Sequence, residues 1–317
     1  MTLRILALFI GLLAAPVAAQ TFPSRTISII VPLAPGGGTD LLARVIADKL
    51  RDKLGQPVTV ENRSGAAGNI GADAVFKAPA DGHTLLFTQP APLVVNKALY
   101  GKLSFEPEQF VPIAVVSIQD IMLALNPGVP ANDLRELIAY ARANPGKLNF
   151  GSSGAGSAPH LAAELFSAMA GVKMVHVPYK GSGESQAATL AGHVDLTFFA
   201  FSTALRHARA GKLRAIAVGG TKRNPQAPEV PSISEVLPGY SAASWTALVA
   251  PPGTPAPVAQ KLSSAVSEIV RMPDVQKRLV DAGDEPASMT AAQMAAFLHE
   301  ERQRWAQVIR SAGITPQ

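Results

Sequence analysis

Short apolar runs alternate along this chain with longer stretches in which apolar residues recur every three or four positions. Short runs bounded by turn residues mark strands, and a period near 3.6 marks one face of a helix. The run at 27–33 predicts a strand, and Leu41, Leu42, Val45, Ile46, Leu50 and Leu54 predict a helix that ends at Gly55. Strand 58–61, helix 70–77 and strand 84–88 follow; after a Pro-rich loop, the run 113–125 predicts one or two strands. The middle repeats the theme with helix 133–143, strand 148–150, helix 158–170, strand 174–177 and helix 184–191. Strand 194–199, a short helix near 203–210 and strand 213–218 come next. Residues 221–240 read as loop, 245–250 as a strand, and 255–271, 273–282 and 290–312 as helices.

Strand–helix alternation predicts mostly parallel sheets covered on both faces. The block after residue 250 has helices and almost no strands, so it cannot build a sheet alone. Packing it back on the first lobe solves that problem. The expected organisation is lobe 1 from 21–123 and 246–317, lobe 2 from 124–245, two crossings near 120–126 and 240–248, and a cleft between.

The first twenty residues differ in kind. Arg4 gives a positive start, residues 5–15 are almost wholly apolar, and Val17-Ala18-Ala19 offers small residues for a peptidase. This three-part layout predicts a cleaved secretory signal over 1–20, too short for a membrane span with soluble flanks. No Cys follows the apolar run, which argues against a lipid anchor. Without Arg4 the chain keeps 27 basic against 23 acidic residues. That mild positive balance suits anionic ligands, and no basic stripe with interleaved aromatics points to nucleic acid. The absence of Cys excludes disulfide and thiol chemistry.

Three strand–helix junctions are rich in Gly and Ser. Ala34-Pro35-Gly36-Gly37-Gly38-Thr39-Asp40 follows the first strand, with Thr39 as the expected N-cap. Bare N–H groups at such a helix start form a ready seat for a carboxylate or phosphate. Asp40 either complements the helix dipole or meets a ligand ammonium group. Gly151-Ser152-Ser153-Gly154-Ala155-Gly156-Ser157 makes a second grip, with Ser157 as N-cap and Pro159 in the first turn. Tyr179-Lys180-Gly181-Ser182-Gly183 is the third. In open α/β sheets ligands bind beyond the carboxyl ends of strands, where all three junctions fall.

Catalytic readings fail on detail. Ser153 is followed by Gly154 and Ala155, so the G-x-S-x-G elbow of serine hydrolases is incomplete. The Gly-Lys pairs at 101, 146 and 211 are each followed by Leu, which excludes a Walker loop. The histidines at 83, 160, 176, 193, 207 and 299 have no metal-ligand spacing, and no cofactor is expected. His160 alone sits in the first turn behind the Ser-rich loop.

The segments VPLAPGGGTDLLAR at 31–44, VENRSGAAGNIGADAV at 60–75, DGHTLLFT at 81–88, NPGKLNFGSSGAGSAPHLAAELF at 144–166, VHVPYKGSGESQAATLAGHVDL at 175–196 and GKLRAIAV at 211–218 resemble one family in the same order. It is the family of tripartite tricarboxylate transporter receptors, also called Bug substrate-binding proteins, and the resemblance runs from about 22 to 315. It implies a periplasmic, monomeric binding protein with the two-lobed class II fold. Each lobe would be a mostly parallel sheet flanked by helices, with two hinge crossings between them. The ligand would be a small organic acid, and the partners the membrane subunits of a tripartite tricarboxylate transporter. Carried over by residue, the resemblance puts Ala34, Gly37, Gly38 and Thr39 on one side of the ligand. Ser152, Ser153, Ala155 and Ser157 face it from the other lobe. Tyr179 of the third junction joins them, Asp195 is expected near the cleft or hinge, and Trp245 matches an aromatic wall position.

Two departures bear on specificity. Family members often carry Asp or Asn after the strand that follows Asp195; here Phe199, Ala200 and Phe201 stand there. The phenylalanines either make the pocket tolerant of apolar bulk or belong to the core. Gln89-Pro90 replaces a small Ser/Thr-rich turn, so Gln89 is a further candidate contact. The rival readings are a ligand-sensing partner of a signalling system and a serine hydrolase.

Overall fold

The computed structural model describes residues 22–100, 102–179 and 181–314. The expected signal over 1–20 and Lys180 of the third junction lie outside the described residues.

The first part of the chain runs β1 (Ile27–Val31), α1 (Gly38–Leu54), β2 (Val58–Asn62), α2 (Asn69–Phe76), β3 (Thr84–Thr88), a wide helical turn at Ala91–Val95, α3 (Asn96–Leu99) and β4 (Val111–Gln119). A second sheet is then built from β5 (Ile121–Leu125), α4 (Leu134–Ala143), β6 (Asn149–Ser152), α5 (Ala158–Ala170) and β7 (Val175–Pro178). It is completed by α6 (Ser182–Ala191), β8 (Leu196–Ala200), α7 (Phe201–Arg209) and β9 (Arg214–Val218). The chain returns through β10 (Ser244–Ala250), α8 (Ala256–Val270), α9 (Pro273–Ala282), β11 (Asp284–Pro286) and α10 (Ala291–Ser311).

The first sheet has the order β11-β4-β10-β3-β1-β2 and the second β7-β6-β8-β5-β9. Both are mixed. β2, β1 and β3 are parallel, as are β7, β6 and β8, while β10, β11, β5 and β9 pair antiparallel. The antiparallel strands are largely those that carry the chain between sheets: β4 leaves the first, and β5 begins in the second after Asp120 alone. A strand arriving that way has no helical crossover to turn it parallel.

Alternation along β1 explains the layering. Ile27, Ile29 and Val31 pack with Leu42, Ile46 and Leu50 of α1 and with Leu262 and Val266 of α8. Ile30 turns to the other face, toward Ala72 and Val75 of α2 and Leu298 and Trp305 of α10. Each fully buried Ile or Leu contributes roughly 1.5–3 kcal/mol from area removed from water. The core on this second face continues into Leu161 and Phe166 of α5. Helix α10 therefore straps the first sheet to the second, and Tyr240 Oη donates to the Ala162 carbonyl at 3.0 Å in the same region.

Candidate functional site

A cavity of about 620 Å³ opens where the two sheets meet. From the first sheet's side it is lined by Ala34, Gly37, Gly38, Thr39, Gln89 and Gln119, with Ser244 and Asp284 beyond them. The second sheet contributes Ala158, Pro159, Ser182, Phe198, Ala200, Phe201 and Ser202, and Asp120 and Ile121 cross between. The starts of four helices, α1, α5, α6 and α7, thus converge on one space. None of the four has a side-chain cap: their N-cap residues Gly37, Ser157, Gly181 and Ala200 leave the first-turn N–H groups without one. The starts of α2, α3, α8 and α9 also lack a side-chain cap, while α4 and α10 are closed by Asp133 and Thr290, so what sets these four apart is that they meet in one space. Uncapped N–H groups and aligned helix dipoles make the cavity receptive to negative charge.

The helix begins earlier than the sequence suggests at the first junction. Gly37 is the N-cap and Thr39 lies within the first turn, because Gly36 takes a φ of +82° and turns the chain sharply ahead of it. Asp40, 2% exposed, holds this loop. Its Oδ2 accepts from Gly36 N at 2.9 Å and Arg44 Nε at 3.1 Å, and its Oδ1 accepts from Asn62 Nδ2 at 3.0 Å and Arg44 Nη2 at 3.1 Å. Burial alone would raise this carboxyl, but the hydrogen bonds from Arg44, Gly36 and Asn62 outweigh it and hold it below its ordinary value. With its oxygens so engaged, Asp40 braces the seat rather than meeting an ammonium group.

The second junction is held from behind. Ser152 is fully buried, with Oγ 2.6 Å from His176 Nε2 and 3.1 Å from the Gly154 N–H it accepts. His160 Nδ1 accepts from Gly156 N at 2.9 Å, and the rings of His160 and His176 stack with centroids 3.8 Å apart. Burial, and after it the neighbouring His160, pushes His176 down to about 4, so it is neutral at pH 7. Ser157 is the N-cap of α5 as expected, but its Oγ donates to the Gly154 carbonyl at 2.7 Å instead of capping. Ser153, Ala155 and Ser157 sit in the loop just ahead of the lining residues Ala158 and Pro159. Tyr179 is half-buried and donates its main-chain N–H to the Ser152 carbonyl at 2.9 Å.

Three further candidates lie off the cavity wall. Along β8 the alternation sends Phe198 and Ala200 to the cavity and Phe199 into a core with Met122 and Leu205. Asp195 precedes the same strand, whose five residues put it about 16 Å from the cavity end; there its Oδ2 accepts from Asn149 N at 2.8 Å. Trp245 turns away from its cavity-lining neighbour Ser244 toward a second cavity of about 290 Å³, where Nε1 donates to buried Glu301 at 3.2 Å.

Sequence reasoning did not single out Gln119, Asp120 or Asp284. Asp120 Oδ1 accepts from the main-chain N–H groups of Ile121 and Gly220, both at 2.9 Å. Burial pushes its carboxyl up to about 6 against the pull of Gly220, Asn224 and Ile121. Burial also raises Asp284, with Gln119 and Ser117 opposing. Only Asp120 carried a local signal, as a lone acid between two apolar runs.

A family model described as tripartite tricarboxylate transporter family receptor matches residues 42–314. The chain belongs to that family. Protein BugT of Bordetella pertussis is 39% identical over 316 residues, covering 98% of this chain and 97% of that protein. The solved structure of R. palustris Rpa4515 with adipate is 36% identical, with a TM-score of 0.79, and covers 93% of this chain and 100% of that one. MatC (Rpa3494) from Rhodopseudomonas palustris with bound malate is 34% identical, with a TM-score of 0.74, covering 91% of this chain and 100% of that one. This member of the family accordingly has the periplasmic binding protein fold, two mixed sheets flanked by helices. It is a solute-binding receptor and not an enzyme, and its family membership implies a periplasmic location.

Proposed function

We propose that this receptor captures a small organic carboxylate in the cavity between its two sheets and delivers it to the membrane subunits of a tripartite transporter. The observation that carries this reading is the convergence of four helix starts without side-chain caps on one space. A carboxylate entering there would satisfy N–H groups otherwise served by water, each charge-assisted bond contributing about 1.5–3 kcal/mol. A micromolar dissociation constant needs about −8 kcal/mol, within reach of a few such bonds in an enclosed pocket. The cavity's size falls in the usual range for small-molecule sites. Adipate and malate, held by the two relatives, suggest a short dicarboxylate. The ligand-binding set is Ala34, Gly37, Gly38, Thr39 and Gln89 from one side, and Ser153, Ala155 and Ser157 with the α5 start from the other.

In this reading residues 22–119 with 244–314 move as one lobe, 121–218 as the other, and Asp120 and 219–243 join them. Ligand contacts to both lobes would favour closure, since only differential contacts shift such an equilibrium. The chain is exported through a cleaved signal over 1–20 and acts as a monomer. A thermal-shift screen of the mature protein against di- and tricarboxylates, aromatic acids and amino acids tests the reading. An acid should raise the melting temperature with dose, and its crystal complex should hold the carboxylate at Gly37–Thr39. Stabilisation by no acid, or an acid bound elsewhere, would refute it.

A further inference from the structure

A row of polar side chains crosses the carboxyl end of the first sheet, behind the seat at α1. Asp284 Oδ2 accepts from Gln119 Nε2 at 3.1 Å and from Ser117 Oγ at 3.2 Å. Gln89 Nε2 donates to Gln119 Oε1 at 3.3 Å and to Thr39 Oγ1 at 3.1 Å. The sheet dictates this order. Asp284 lies opposite Gln119 in the β11–β4 pairing, Gln89 directly follows β3, and Thr39 stands in the first turn of α1 after β1.

The row has only one consistent direction. An ionised carboxylate only accepts hydrogen bonds. Asp284 therefore faces the amide nitrogen of Gln119, which leaves the Gln119 oxygen toward Gln89. That oxygen also only accepts, so Gln89 must present its nitrogen. The second hydrogen on this nitrogen meets Thr39 Oγ1. The Thr39 hydroxyl is thereby an acceptor from behind, and among the described residues its own hydrogen has no acceptor. Thr39 lines the cavity beside Gly37 and Gly38.

We infer that Asp284, acting through Gln119 and Gln89, fixes the Thr39 hydroxyl as a hydrogen-bond donor to the ligand, so that the seat selects an ionised carboxylate over a neutral carboxamide. This rests on the proposed reading that the cavity takes an organic acid. Asp284 is a positioning residue here, and the sign of its effect distinguishes that role from direct contact. A bare carboxylate in the cavity would repel an anion, so removing its charge would tighten binding. If Asp284 orients the row, removing its charge weakens binding. Asparagine can turn its amide toward Gln119, which frees the row to run in reverse and the Thr39 hydrogen to point at Gln89.

The test is calorimetric titration of the mature protein with adipate, malate and the monoamide of adipate. Asp284→Asn should weaken the two acids about tenfold, the share of one charge-assisted hydrogen bond, and narrow the preference for adipate over its monoamide. Thr39→Val should do the same, Thr39→Ser, which keeps the hydroxyl, should bind more tightly than Thr39→Val, and the double variant Thr39→Val/Asp284→Asn should be no weaker than Thr39→Val alone. Tighter or unchanged acid binding in Asp284→Asn, or additive losses in the double variant, would overturn the inference. If the wild type binds none of the three, the functional reading fails for these ligands. The row is then judged in the ligand-free protein by the side-chain amide ¹⁵N–¹H resonances of Gln89. A shift of that pair in Asp284→Asn supports the row, and an unmoved pair refutes it.

Discussion

Asp120 sits where the chain steps from β4 of the first sheet to β5 of the second, and it lines both cavities. Its carboxyl accepts two main-chain N–H groups, one from each side of the crossing region, yet burial still pushes it up to about 6 from an ordinary 3.8. Glu285 adds to the rise. A raised carboxyl means that the folded chain holds a proton the unfolded chain has already released. Stability therefore falls as pH rises from about 4 to about 6, and the cost is fully present above that window. A shift of about two units at 1.36 kcal/mol each gives roughly 3 kcal/mol, and a realistic expectation is about 1–3 kcal/mol. Asp120→Asn removes the ionisation while its Oδ1 can still accept from Ile121 and Gly220. The variant should exceed the wild type in stability by about 1–3 kcal/mol near pH 7.5, and the gap should close on acidification to about pH 4. Urea unfolding followed by the fluorescence of buried Trp245 and Trp305 at four pH values measures this directly. A gap that stays constant with pH, or widens toward pH 4, would refute the reasoning.

Gly37→Val should weaken carboxylate binding about tenfold or more by crowding the N–H groups of the seat, as read by calorimetry. Asp40→Asn should weaken the same binding, since asparagine cannot accept the two-pronged Arg44 contact that braces the loop; an increase in affinity would contradict the bracing role. Gly283→Ala should lower stability by about 1 kcal/mol, because Gly283 has a φ of +88° and the new methyl would meet Ser202 Cβ across the cleft at 2.8 Å. It should also weaken binding, and Ser202→Gly in the same chain should recover the binding but not the stability. Trp245→Phe should cost about 1–3 kcal/mol in thermal unfolding, because buried Glu301 loses one of its donors.

The features legible in the sequence are those set by near neighbours. The period of α1, the glycines before it and the Ser-rich loop before α5 all survive as elements that border the cavity. Phe198 and Phe199 show where local pattern stops. Alternation along β8 requires that they face opposite sides, but which side is the cavity depends on how β8 sits between β6 and β5. The same holds for Ser244 and Trp245. Gln119 and Asp284 are 165 residues apart and meet only because three-residue β11 pairs with β4. No local pattern announces a strand that short, so the helical reading of the C-terminal block left its polar partner unseen. Ser152 and His176 likewise come together through the parallel pairing of β6 and β7.

Three carboxylates and one guanidinium, Arg278, line a cavity proposed to hold an anion, and the Coulomb repulsion of the acids should make it a poor one. Two unit charges about 8 Å apart repel by roughly 2 kcal/mol at an effective dielectric constant of 20. What offsets this is where the oxygens point. Asp40 accepts from Gly36, Arg44 and Asn62, Asp120 from Ile121 and Gly220, and Asp284 from Gln119 and Ser117. Each acid is turned onto donors of the protein itself. Asp40 keeps the Gly-rich loop in place, Asp120 ties the crossing to the loop at Gly220, and Asp284 orients the row that ends at Thr39. The negative charge thus organises the donors that face the ligand, and the cavity can present N–H and O–H groups to a carboxylate although acids stand behind them.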